Sequence, residues 1–199
     1  MTAALREWLA AARGNPLFPL ALAGAGLVAV VDQLSKAWIL HGIDLPGRAV
    51  PCAREPRLDC PQIHVAPFFD LTYVENRGAS FGVLAGGLAS RVFLSLLSVV
   101  IVGFLVAWLA RLRRRLAAGA VALIAGGALG NLYDRVAYGH VVDFLDFSGL
   151  GFPWVFNVAD AAINVGVGLL LLDAWLYREQ TPQAGDEAAA AKGQGGGAL

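Results

Sequence analysis

Seven ionisable residues interrupt otherwise apolar sequence: Asp32 and Lys36, Asp134 and Arg135, then Asp143, Asp146 and Asp160. Asn131 and Asn157 accompany them. A carboxyl group among apolar neighbours loses hydration, which penalises its charged form and raises its pKa; a second carboxylate nearby raises one of the pair further. Asp143 has that setting, following Val141 and Val142 and preceding Phe144 and Leu145. Two carboxyls sharing one proton are what an aspartic peptidase requires. One takes a proton from water as a base, and the other, protonated, polarises the scissile carbonyl. Other chemistries are poorly supplied. Ser80, Ser90, Ser95 and Ser98 have no His or Lys placed to activate them, and His41, His64 and His140 are too scattered to form a metal set. Neither a metal nor an organic cofactor is expected.

Spacing groups these residues. Asn157 and Asp160 are three apart, so on a helix they share a face, and Asn131 and Asp134 stand in the same relation. Asp32 and Lys36 are four apart, the spacing of an intrahelical ion pair that also braces a bundle. Each residue has a purely structural reading as well: the acids as ion-pair partners of Lys36 or Arg135, the asparagines as interhelical links. The residues by themselves do not separate Asp143 from Asp134 as a reacting carboxyl. Arg135, next to Asp134, is expected to hold that acid ionised and structurally occupied.

The elements that must position these groups are membrane helices. The chain has 199 residues, 57% hydrophobic and 15% charged, with no formal net charge; its mean hydropathy is +0.62. Soluble domains are about 45–50% apolar and about 25% charged. No basic face suggests a nucleic-acid partner. A span needs about 20 apolar residues, and four segments supply them: 17–40, about 88–110, about 116–133 and about 154–177. The expected fold is therefore mainly α, a four-helix membrane bundle. The third segment is short and Gly-rich; its small residues suit close helix packing.

Arg111, Arg113, Arg114 and Arg115 crowd the turn between the second and third spans. Short Arg-rich loops stay cytoplasmic, which puts both termini inside and the loops 41–87 and 134–153 outside. The organisation that follows is a cytoplasmic segment 1–16, a membrane domain 17–178 and a disordered low-complexity tail 179–199. Loop 41–87 is too long for a connector. Residues 63–74 read as one or two strands broken at Pro67, and 78–84 as a segment lying on the membrane surface. Cys52 and Cys60 lie in this outer loop, where a single bridge and two free thiols are both compatible with the sequence.

The same residues fall in five blocks: VDQLSKAWIL at 31–40, YVENRGASFG at 73–82, GGALGNLYDR at 126–135, GHVVDFLDF at 139–147 and FNVADAAINVG at 156–166. In order and content they resemble the signature blocks of lipoprotein signal peptidases, also called signal peptidase II. The Pro/Arg/Cys stretch 46–62 is longer than that family's norm. The resemblance implies a membrane aspartyl endopeptidase of the bacterial inner membrane. Such an enzyme cuts the signal peptide from a prolipoprotein just before its diacylglyceryl-modified cysteine. It further implies Asp143 and Asp160 as the catalytic pair. Asn76 and Arg135 would contact the substrate backbone or a globomycin-like cyclic peptide inhibitor. Asn131, Asp134, Asn157, Asp32 and Lys36 would form the polar support, with membrane lipid alongside and a monomer sufficient for the single bundle. Two rivals remain at this level: a proton-coupled transporter, which would spread its acids through the membrane thickness, and a non-catalytic lipid-binding scaffold.

Overall fold

The computed structural model describes residues 1–48, 50–51, 59–78 and 87–180. Helix α1, Ala3–Arg13, is capped by the Thr2 hydroxyl, which accepts from the Leu5 amide. It leads into α2, Leu17–Ala37, which continues as a π-helical turn, Trp38–Gly42. Helices α3, Leu88–Leu109, α4, Arg115–Ala137, and α5, Val158–Gln180, follow. Four helices are long and apolar enough to cross a membrane: α2, α3, α4 and α5.

The third span, short and Gly-rich by sequence, is the centre of the bundle. In α4, 61% of the apolar window is buried, against 11–17% in the other three, so α2, α3 and α5 pack around it. Its small residues explain this central position. Ala117, Ala118, Val121, Ala122 and Ala125 form a core with Ala21 and Ala25 of α2 and Leu105 and Leu109 of α3. A Cβ on Gly126 would stand 2.5 Å from the Ala25 carbonyl oxygen, and one on Gly127 would stand 2.4 Å from that of Ala159. Glycine here sets the distance at which α2 and α5 approach α4.

Above the helices lies a four-stranded antiparallel sheet, β3-β4-β5-β6. Strands β1, Val50–Pro51, and β2, Asp59–Cys60, form a separate small pair. Strands β3, Gln62–Ala66, and β4, Phe69–Asn76, make the hairpin that the sequence suggests, turning at Pro67. The other half of the sheet was not anticipated. Strand β5, Val141–Asp146, and β6, Val155–Phe156, come from the loop after α4. This corrects two expectations: the platform is not confined to 41–87, and the fourth span begins later than 154, because the chain is still extended at Phe156. The sheet rests on Ile39, Leu45, Leu71, Val142 and Phe144, all buried. Cys52, Ser80, most of the 78–84 segment and the tail beyond 180 lie outside the described residues.

Candidate active site

Asp143 sits in the middle of β5, opposite Val74 of β4. Asp160 sits in the first turn of α5. The link between strand and helix is Asn157, fully buried at the start of α5. Its side-chain oxygen accepts from the Asp160 amide at 2.9 Å, and its Nδ2 donates to Asp143 Oδ1 at 2.6 Å. Asparagine suits this position because its oxygen caps the helix while its NH2 is left to donate elsewhere. Asn76, at the end of β4, donates to Asp143 Oδ2 at 3.0 Å. Asn131 of α4 donates to Asp160 Oδ1 at 2.8 Å and accepts from Asn157 Nδ2 at 3.2 Å. Three asparagines from three elements thus hold both carboxyls.

Their surroundings differ. Asp143 is 1% exposed, whereas Asp160 borders an open cavity of about 440 Å³ walled by Phe152, Trp154, Ile163 and Asn164. Burial pushes the Asp143 carboxyl up to about 7, and the neighbouring Asp160 charge pushes the same way; the amides of Asn76 and Asn157 oppose both by favouring the carboxylate. A carboxyl titrating near neutrality beside a second one on an apolar cavity is able to hold and pass a proton.

Behind this pair lies a charged cluster. Lys36 Nζ is 2.7 Å from Asp32 Oδ2 and 2.8 Å from Asp134 Oδ2, and all three residues are buried. Asp32 Oδ1 accepts the Ala159 amide in the first turn of α5, and Asp134 Oδ2 accepts the Val142 amide in β5. The cluster therefore fixes the backbone beside both Asp143 and Asp160.

The predicted residues come together, with some corrections. Asn157 and Asp160 do not share a helical face; Asn157 precedes the helix and caps it. Asp134 is occupied by Lys36 rather than by Arg135, because adjacent helical residues diverge. Arg135 instead donates to the Asn131 carbonyl at 3.2 Å, half-buried and near enough to Asp160 and Asp143 for their charges to be felt. Asn76 is tied to Asp143 itself. Asp146 stands apart, accepting from the Thr72 hydroxyl and the Ser148 amide. Sequence reasoning missed Gln33, whose Nε2 donates to Asp134 Oδ1 at 2.8 Å and to the Gly130 carbonyl at 3.1 Å. Its position between Asp32 and Lys36 within a span was the available signal.

Comparison with known proteins finds relatives over most of the chain. The family model of signal peptidase (SPase) II matches residues 25–176. The lipoprotein signal peptidase of Caulobacter vibrioides is 45% identical over 161 residues, covering 80% of this chain and 89% of that protein. That of Syntrophotalea carbinolica is 45% identical over 162 residues, covering 79% and 92%. A solved bacterial membrane enzyme structure, determined by the in meso method at 2.3 Å resolution, superposes with a TM-score of 0.65 at 26% identity. It covers 83% of this chain and 93% of its own. With four membrane-capable helices and a match over most of its length, the chain belongs to the signal peptidase II family.

Proposed function

We propose that this protein removes signal peptides from prolipoproteins as an aspartyl endopeptidase of the bacterial inner membrane, with Asp143 and Asp160 as its catalytic pair. Family membership supports the reaction. The observation that carries the residue assignment is the pair of carboxyls joined through Asn157, one facing the cavity and the other titrating near 7.

Asp160, on the cavity side, is the base. It takes a proton from water as the water oxygen attacks the scissile carbonyl carbon, while protonated Asp143 gives its proton to the carbonyl oxygen. On collapse, Asp160 passes its proton to the leaving amide nitrogen. Asp143 recovers one from the tetrahedral hydroxyl, so the pair ends as it began. Asn76 and Asn157 orient Asp143, and Asn131 orients Asp160. Lys36, Asp32 and Asp134 brace the two segments that carry the acids. Arg135, half-buried beside the pair, is the donor for the substrate backbone or for a globomycin-like cyclic peptide.

The arginine-rich turn supports an orientation with 1–16 and the tail in the cytoplasm and the acids toward the periplasm. The diacylglyceryl group then stays among lipid tails while the bond just before the modified cysteine reaches the acids.

The test is cleavage of a diacylglyceryl-modified precursor by purified protein. Asp143→Asn and Asp160→Asn each lower turnover by more than about a thousandfold, with thermal unfolding and precursor binding close to wild type. Retained turnover in both variants would remove the assignment.

A further inference from the structure

A second concavity, of about 340 Å³, opens beside the sheet and is lined by Arg77, Arg91 and His140 together with Gly87, Leu88 and Tyr138. The three basic residues come from three separate elements: the residue after β4, the first turn of α3, and the residue before β5. The Arg91 guanidinium is built in. Its Nη2 donates to the Val136 carbonyl at 2.7 Å. Gly139, at φ +85, presents no side chain where a Cβ would stand 3.3 Å from Arg91 Nη1.

One acid, Glu75, shares the neighbourhood. Its Oε2 takes Arg77 Nη2 at 2.6 Å and lies 4.0 Å from His140 Nδ1. Two guanidiniums against one carboxylate leave a net positive charge whether or not His140 is protonated. The first turn of α3 adds to it, because Gly87 caps that 22-residue helix without a side-chain acceptor. Leu88 and Tyr138 in its lining are 75% and 45% exposed. A concavity lined by guanidiniums together with exposed apolar groups, at the end of a spanning helix, matches a lipid headgroup level rather than open water.

We infer that this cavity binds the phosphodiester of an anionic phospholipid from the surrounding bilayer, gripped by Arg77 and Arg91. Planar guanidiniums suit phosphate oxygens, and a choline-bearing headgroup would bring a cation into a pocket that is already positive. A free phosphate ion shares the anion chemistry but makes no use of Leu88 and Tyr138. The inference is independent of the peptidase assignment, because none of these residues belongs to the Asp143–Asp160 network.

The test is native mass spectrometry of the full-length protein in detergent micelles, with dioleoyl phosphatidylglycerol, dioleoyl phosphatidylcholine and inorganic phosphate as probes. Phosphatidylglycerol is retained in preference to phosphatidylcholine, and Arg77→Gln and Arg91→Gln each weaken retention about tenfold. Because Arg91 also braces Val136, Arg91→Lys is measured beside it and keeps part of the binding, and thermal unfolding in detergent reports that the variants are folded. Equal retention of the two lipids, retention unchanged by removing both arginines, or displacement of phosphatidylglycerol by equimolar inorganic phosphate would each overturn it.

Discussion

Two pairs of carboxyls lie in one continuous polar network and handle charge in opposite ways. Asp32 and Asp134 are wholly buried and share the Lys36 ammonium at 2.7 and 2.8 Å. Asp143 and Asp160 are held by amides, and among the described residues no cation reaches either within ion-pair distance. An ammonium ties up its partners' oxygens in ion pairs, whereas an amide satisfies them without adding a charge. The first pair is therefore committed to structure, whereas in the second Asp143, pushed up to about 7, is able to exchange a proton.

The largest effect that would separate the two pairs comes from removing the shared cation. Lys36→Met leaves Asp32 and Asp134 facing each other without compensation, a loss of about 3–5 kcal/mol for a broken buried pair. The expected result is a protein that accumulates poorly and unfolds well below wild type in detergent. Adding Asp32→Asn removes one of the stranded charges and recovers part of the loss. Asp143→Asn and Asp160→Asn, by contrast, keep the unfolding temperature near wild type while turnover disappears. A Lys36→Met protein as stable as wild type would erase the distinction drawn between the pairs.

A smaller effect tests whether helix spacing, and not charge alone, sets the catalytic pair. Gly127→Ala would place a methyl 2.4 Å from the Ala159 carbonyl and 2.8 Å from Ile163. α5 has to move off α4, carrying Asp160 away from Asn131, at a cost of about 1–3 kcal/mol. Gly119→Ala, on the same helix with nothing within 4 Å, is expected to be neutral or slightly stabilising. The paired readout is unfolding temperature together with kcat, both falling only for Gly127→Ala. Equal behaviour of the two variants would mean that α4 and α5 adjust freely.

The sequence revealed the actors better than the stage. The four spans, the Asp32–Lys36 pair and the strand break at Pro67 follow from hydropathy, spacing and proline chemistry, all of them local. The sharing of Lys36 between Asp32 and Asp134 joins residues about a hundred positions apart, and no local pattern encodes it. Strand β5 was missed because VVDFLD carries two acids that a period-2 reading leaves unexplained until the fold gives each a partner: Asp143 the asparagines, Asp146 the Thr72 hydroxyl. Spacing alone makes Asn157 helical, whereas it is a cap, a boundary that depends on β6 extending to Phe156. The centrality of α4 was hidden for a related reason. Glycine and alanine lower hydropathy, yet they are the residues that let three neighbours pack closely.

The subtlest effect concerns the donors that distinguish the reacting pair. Burial and the Asp160 charge raise Asp143 to about 7, while the amide of Asn76 favours its carboxylate and restrains that rise. Removing the amide in Asn76→Ala must therefore raise the Asp143 pKa further, so its proton persists to higher pH. In a kcat/KM profile, which reports the free enzyme, loss of the Asp143 proton forms the alkaline limb, near 7 in wild type. That limb should move to higher pH in Asn76→Ala, with a modest fall in the plateau because Asp143 is less well oriented. Glu75→Gln is the control: Glu75 engages Arg77 on the same strand and has no bond to Asp143, so its limb should stay in place. A limb that stays still or moves to lower pH in Asn76→Ala would mean that Asp143 does not carry the proton, and the roles of the two acids would have to be exchanged.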